Sequence, residues 1–179
     1  MKLLLAVAHA IDTLNEKAGV VALWMVLLAT LVSAVNACVR YAVNMSSNAW
    51  LELQWHMFAA IVMLGAPVVL RANEHVRVDV VYGKLAARTR AWVDLLGMLF
   101  FLLPGAILLA RMAWPWFVES WASNEMSNNA GGLALWPAKL IMAAGFGLLA
   151  LQGVSEVIKR AGYLAGRYPM DLQYEKPLQ

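Results

Sequence analysis

Residues 51–83, LELQWHMFAAIVMLGAPVVLRANEHVRVDVVYG, contain one long apolar run with charge at both ends. Glu52 stands at its start and Arg71 at its end, and a charged loop follows. An α-helix rises about 1.5 Å per residue, so roughly 20 residues cross about 30 Å of hydrocarbon. The segment from Glu52 to Arg71 has that length. It therefore predicts a transmembrane helix whose two charges lie near the membrane interfaces.

The composition is that of an integral membrane protein. Of the 179 residues, 62% are hydrophobic and 14% are charged, and 8 are tryptophan, which is outside the range of soluble domains. Short loops separate the apolar runs, so we expect residues 1–179 to form a single membrane domain without room for an extramembrane enzyme domain. The single cysteine, Cys38, excludes an intrachain disulfide.

Four apolar runs predict an all-α protein that crosses the membrane four times. Residues 1–17 place apolar and polar side chains on opposite helix faces, which predicts a short amphipathic helix at the interface. The alternative, that they begin the first membrane helix, stays open. The expected transmembrane helices, loops and tail are, in order, 18–42, 50–71, 72–90 (loop), 91–118, 119–135 (loop), 136–158 and 159–179 (tail).

The distribution of positive charge predicts the orientation. Eleven of the 14 lysines and arginines fall in the N-terminal segment, at Arg71 and in the loop 72–90 that follows it, and in the tail. The positive-inside rule places these segments in the cytoplasm, with both termini inside and the loop 119–135 outside. The three remaining cations are expected in the outer third of the helices, at the depth of Glu52: Arg40, Arg111 and Lys139.

Charged residues inside a membrane are functional candidates because burying them in hydrocarbon is costly. Here the depth of Glu52 favours a structural ion pair with one of the three outer cations over a proton or ion site. No carboxylate falls in the middle of a predicted helix, which argues against a self-contained proton-coupled pump. Trp136 and Pro137 open the fourth helix, where tryptophan suits the interface and proline the first turn.

The positions of the histidines and the motifs of the sequence predict no cofactor. His9, His56 and His75 are expected at depths that do not allow two of them to ligate one haem. Metal-ligand spacings, a phosphate-binding loop and a nucleophile elbow are absent from the sequence. Nothing indicates nucleic acid as a partner, whereas the basic face suits membrane lipids with anionic head groups.

Three short motifs resemble the small membrane subunit of tripartite ATP-independent periplasmic (TRAP) transporters. They are Glu52-Leu53, Leu64-Gly65-Ala66 and the signature His75-Val76-Arg77-Val78-Asp79. Two later segments resemble the branch labelled mannitol/chloroaromatic or keto-acid type: RAWVDLLG at 90–97, and GGL at 131–133 with WPAK at 136–139.

This resemblance implies a non-enzymatic subunit of the bacterial inner membrane. Its implied partners are a large membrane subunit with the substrate and sodium sites, and a periplasmic binding protein that delivers an organic acid. Arg77 and Asp79 would pair with each other or with the large subunit. Two other classes stay open: a small homodimeric transporter, which needs a mid-membrane ionisable residue, and the membrane anchor of a redox complex, which needs haem.

Overall fold

The computed structural model describes residues 2–45, 47–73 and 82–170, and these residues form four long helices. All four are long and apolar enough to cross a membrane. Within the described residues there is no β-strand beyond one isolated bridge. The all-α fold class with four membrane helices is therefore confirmed. The helices are α1, Lys2–Val43; α2, Asn48–Ala72; α3, Ala87–Ala122; and α4, Trp136–Leu164.

The first helix corrects the expectation of a separate interfacial helix over residues 1–17. α1 is continuous for 42 residues, about 63 Å at 1.5 Å per residue and roughly twice the thickness of the hydrocarbon layer. The helix continues through residue 17 without a break, and two polar residues of its first half are not solvated. These residues, Asp12 and Asn15, are buried, and the side of the helix that carries them packs against the end of α4.

The second helix begins and ends with capping residues. The Ser47 hydroxyl accepts a hydrogen bond from the Ala49 backbone N–H at 3.3 Å, and Asn73 ends the helix in a left-handed conformation with φ 61°. Inside the helix, Pro67 has no N–H, so the carbonyl of Met63 loses its usual donor. That carbonyl faces Gly145 of α4, where a β-carbon would lie 2.9 Å from its oxygen.

The third helix contains one π-helical turn, Met98–Leu102. In this turn the Leu103 N–H donates to the carbonyl of Met98, five residues earlier. Pro104 follows directly and cannot donate to the carbonyl of Phe100. A π turn beside a proline is one way in which a membrane helix accommodates the missing hydrogen bond.

The fourth helix is the centre of the bundle. It packs against α1, α2 and α3, and α1 and α2 also pack against each other. α4 extends to Leu164, six residues beyond its expected end, so Lys159 and Arg160 lie on the helix and are buried. The segment expected to be a tail from residue 159 therefore begins with helix that is packed against its neighbours.

The connection between α3 and α4, residues 123–135, is a loop with internal hydrogen bonds. We call it the outer loop, because the distribution of positive charge predicts that it lies outside. Its first residue, Ser123, is the C-cap of α3. Its two sides pair through the bridge between Met126 and Ala134. The Ser127 N–H donates to the Leu133 carbonyl at 2.9 Å. The Asn48 side chain, at the start of α2, donates to the Ala130 carbonyl at 3.0 Å. The loop is thus fixed to itself and to the outer end of α2.

Candidate functional site

The carboxylate of Glu52 holds the outer loop in place. Glu52 is only 3% exposed. Its Oε1 accepts hydrogen bonds from the Ser127 hydroxyl and, at 2.7 Å, from the Asn129 side-chain amide, and its Oε2 accepts one from the Leu133 N–H at 2.6 Å. Donors from one loop therefore surround the acid. We call this group, Glu52 with Ser127, Asn129 and Leu133, the outer clasp.

A glycine makes the outer clasp possible. A β-carbon on Gly132 would lie 2.6 Å from the Ser127 side chain and 2.9 Å from the Glu52 carboxylate. Contacts this close do not occur between real side chains, so any other residue would displace the loop. The second glycine of the sequence GGL at 131–133 therefore allows the loop backbone to approach the Glu52 carboxylate.

The ion pair that the sequence predicts for Glu52 is not formed within the described part of the chain. Lys139 instead donates to Oε2 of Glu125, and its Nζ lies 4.4 Å from the centre of the Trp116 ring. This ammonium holds the pKa of the Glu125 carboxyl below its usual range. Glu125 of the loop pairs with Lys139, and other residues of the loop donate hydrogen bonds to Glu52. Glu52 and Lys139 therefore have separate partners.

The other two outer cations have no such partner. Arg40 and Arg111 are exposed, and neither forms an ion pair with any residue that the structure describes. Trp136, the remaining outer candidate, packs edge-on against Trp121 with ring centres 4.5 Å apart. It joins the end of α3 to the start of α4, as expected for a tryptophan at the interface.

His56 is a second link between α2 and the outer loop. Its Nδ1 lies 2.7 Å from the Glu52 carbonyl oxygen, and its Nε2 lies 3.2 Å from the Ala134 carbonyl oxygen. Both neighbours are acceptors. A neutral imidazole has one N–H and donates to one of them, whereas an imidazolium donates to both.

At the opposite end of the bundle, Asp12 joins α1 to α4. Asp12 is 7% exposed. Its Oδ1 accepts hydrogen bonds from Gln152 at 2.9 Å and from the Ser155 hydroxyl at 2.8 Å. The Lys159 ammonium lies 2.9 Å from Oδ2. A buried acid on α1 is thereby matched by two neutral donors and one cation on α4.

The same cluster continues to α3. Glu156 accepts from Lys159 at 2.6 Å and from Arg160, and the Arg160 Nε lies 3.4 Å from Oδ2 of Asp94. Tyr82 also donates to Asp94, at 2.9 Å. We call the residues joined by these contacts the inner cluster: Asp12, Asp94, Gln152, Ser155, Glu156, Lys159 and Arg160. It connects three helices through ion pairs and hydrogen bonds with few exposed atoms.

Asn15 extends the inner cluster by one turn along α1. Its side-chain amide donates to Gln152 at 2.7 Å, and both side chains are fully buried at 0% exposure. The Gln152 amide in turn donates to Asp12 and Glu156. Among the described residues, no group of three or more acidic, histidine or cysteine side chains is arranged to hold a metal ion.

An apolar groove lies between α2 and α3 on the side of the inner cluster. Its volume is about 710 Å³, and its walls include Leu70 of α2, Phe101 of the π turn, and Phe146 of α4. Asp94 and Tyr82 stand at one end of it. The groove exists because α2 and α3 both pack on α4 and are held apart there.

The remaining candidate residues predicted from the sequence lie at the inner end of α2 and beyond it. Arg71 forms an ion pair with Glu16 of α1 at 3.2 Å, and the two side chains are 39% and 66% exposed. His75, Arg77 and Asp79, the signature of the loop, lie outside the described residues. The sequence-based roles of these three residues remain predictions.

Residues 29–162 match the protein family described as tripartite ATP-independent periplasmic transporters, DctQ component. The chain belongs to this family. The match begins in the outer half of α1 and ends near the end of α4, so it covers the outer clasp and all of the inner cluster except Asp12. A DctQ component is part of a transporter and is not an enzyme, as the sequence resemblance implies. Neither a curated protein nor a solved structure matches the chain.

Sequence reasoning on this DctQ component missed the inner cluster. It assigned Lys159 and Arg160 to a tail in water and Asp12 to a helix at the interface. The signal was present in the spacing of polar residues on α4, which repeat on one helix face as Gln152, Ser155, Glu156 and Lys159. Gln152, Ser155 and Lys159 of this stripe contact Asp12 or Asn15 of α1.

Proposed function

We propose that this protein is the small membrane subunit of a TRAP transporter and pairs with a large membrane subunit. The large subunit carries the substrate and sodium sites, and a periplasmic binding protein delivers a carboxylate-bearing organic acid. The observation that carries the proposal is the family match across residues 29–162. The chain contributes structure to sodium-coupled uptake, and the large subunit contributes the pathway.

The proposed role is that of a static scaffold, and the placement of charge supports it. The outer clasp fastens the loop 123–135 to α2, and the inner cluster fastens α1 and α3 to α4. Buried ion pairs that share hydrogen bonds fix one geometry, because breaking any pair leaves an uncompensated charge. A bundle fastened at both ends suits a fixed support against which a large subunit moves its substrate site.

The proposed orientation follows from the positive-inside rule. The inner cluster and both termini face the cytoplasm, and the loop 123–135 faces the periplasm. In this orientation the outer clasp shapes the surface beside the docking site of the binding protein. The apolar side chains that α1 exposes along its length, among them Leu23 and Trp24, face lipid or the large subunit.

The direct test is affinity purification of the tagged chain from membranes that contain the complete transporter, in mild detergent. We expect a large multi-helix membrane protein to be recovered in equal amount with the tagged chain. Recovery of a homodimer alone would contradict the proposal and support a self-sufficient transporter. A haem absorbance band in the purified protein would contradict it in favour of a redox anchor.

A further inference from the structure

We propose that one face of α3 binds a transmembrane helix of the large subunit through Arg111, which pairs with a carboxylate on that helix. This inference rests on the proposed function and adds the surface and its chemistry. We call the surface the Arg111 face. Its members recur at helical spacing along α3 and are exposed: Phe100, Pro104, Ile107, Arg111, Pro115 and Val118.

The first argument is the depth of the charge. Arg111 lies one helical turn further from the outer end of α3 than Trp114, which belongs to the aromatic group at that end with Trp121. It is eleven residues from Ala122, about 16 Å at 1.5 Å per residue. An arginine at this depth is costly to leave among lipid chains unless an anionic group pairs with it.

The second argument is that the chain's own acids near the outer end are committed elsewhere. Glu52 is enclosed by the outer clasp, and Glu125 is bound to Lys139. Glu119 lies eight residues beyond Arg111, about 12 Å along the axis. Within the described residues Arg111 forms no ion pair. No described acid is thus left to compensate Arg111, and in our proposal the anion belongs to the large subunit.

The third argument concerns the backbone at the same position. Pro115 lies four residues after Arg111 and has no N–H, so the Arg111 carbonyl loses its usual helical donor. The comparable carbonyl of α2, that of Met63 before Pro67, is covered by α4 at Gly145. Arg111 and Pro115 are both exposed. The face thus offers a cation and a carbonyl acceptor side by side.

These two groups select a protein partner over a lipid. A guanidinium forms parallel hydrogen bonds with a carboxylate or with a phosphate. The phosphodiester of a lipid supplies acceptors, and any donors of its head group lie at the interface, whereas a transmembrane helix supplies hydroxyl or amide donors at the depth of the freed carbonyl. The apolar members of the face, Phe100, Ile107 and Val118, continue on both sides of Arg111, as contact along a whole helix requires.

The test uses the tagged chain co-expressed with its large subunit, and it compares the amount of large subunit recovered by the wild type and by Arg111→Leu. We expect the substitution to reduce recovery at least about thirty-fold, as for truncation of a buried charge pair. Arg111→Lys should retain part of the recovery because it keeps the charge. Met112→Leu is the matched control, since Met112 is exposed on the next position of the same helix.

Two further measurements separate the alternatives. The melting temperature of the isolated small subunit should be the same for Arg111→Leu and wild type, which shows that lost recovery is not unfolding. Charge reversal by Arg111→Glu should abolish recovery, and a lysine placed at the facing carboxylate of the large subunit should restore it.

Unchanged recovery with Arg111→Leu, with or without a loss of co-purified phospholipid, would overturn the inference and leave the proposed function standing. Failure of the wild type to recover the large subunit would overturn both.

Discussion

At the scale of single residues, Glu52 shows how one acid organises a loop. Three hydrogen bonds from Ser127, Asn129 and Leu133 converge on one carboxylate that is nearly inaccessible to water. Hydrogen bonds to a charged acceptor are stronger than those between neutral groups. These three hydrogen bonds therefore hold the loop 123–135 to α2.

Replacing Glu52 by alanine should release the loop without unfolding the helices. The three donors would lose their shared acceptor, so we expect amide hydrogen exchange in residues 126–134 to become at least about tenfold faster. Exchange in the middle of α4 should not change. Gln54→Ala is the control, because Gln54 lies on the same helix and, among the described residues, its side chain donates to the Trp50 carbonyl of its own helix and to no residue of the loop. Equal effects of the two substitutions would contradict the role of the outer clasp.

The pair of Glu125 and Lys139 predicts a pH dependence of stability. The Lys139 ammonium keeps the pKa of Glu125 low in the folded protein, so the pair stabilises the fold at pH values above the unfolded glutamate pKa, about 4.3. This contribution is lost as the pH falls through the folded pKa. The difference in melting temperature between wild type and Lys139→Gln should therefore be largest near neutral pH and shrink in acid. A difference that stays constant with pH would contradict this account.

The positions of charged residues along the helices were easier to predict than the groups that bind them. The positions of Glu52 near the start of α2 and of Lys139 near the start of α4 followed from hydropathy alone, since each charge stands at one end of an apolar run. The partner of Glu52 did not follow, because the loop that supplies it is more than 70 residues away in sequence. Its donors are a serine, an asparagine and a backbone amide, which carry no distinctive pattern.

At the scale of helices, the polar contacts between α1 and α4 decide where the inner half of α1 lies. A continuous 42-residue helix would otherwise project from the membrane. Asp12 and Asn15 instead hold it against Gln152, Ser155 and Lys159. Of the residues that the sequence places on the polar face of 1–17, Asp12 contacts protein where water or head groups were expected, whereas His9 and Glu16 are exposed.

Two acids of α1 allow this element to be tested. Asp12→Ala should lower the free energy of unfolding by about 3 kcal/mol, because it leaves the Lys159 ammonium buried without its partner on α1. Glu16→Ala, one turn further on, should cost less than about 1 kcal/mol, because the Glu16 side chain is 66% exposed in its pair with Arg71. Thermal or denaturant unfolding in detergent measures both. Similar losses for the two variants would contradict the burial of the inner cluster.

Two glycines of α4 test the packing of α2. A β-carbon at Gly145 would lie 2.5 Å from the Met63 side chain and 2.9 Å from its carbonyl, whereas one at Gly147 would meet no atom within 4 Å. Gly145→Ala should therefore destabilise the protein by roughly 1–3 kcal/mol through overpacking. Gly147→Ala should leave it unchanged or slightly more stable, because alanine is the better helix former. Equal unfolding midpoints for the two variants would contradict close packing of α2 on α4 at Gly145.

At the scale of the whole molecule, the charges of this DctQ-family protein form two fastening points at the ends of an apolar bundle. The four helices were predictable because membrane spans are long, apolar and bounded by charge. The arrangement of the bundle was not predictable, since α4 became its centre through glycines and polar residues that meet distant partners. In our proposal this rigidity is what the small subunit contributes to the transporter.

The most direct test of the scaffold proposal is uptake into proteoliposomes from which one component at a time is left out. The complete set is this chain, the large membrane subunit, the periplasmic binding protein loaded with radiolabelled organic acid, and an inward sodium gradient. We predict uptake with the complete set and none with this chain alone. Uptake by this chain without the large subunit would contradict the account.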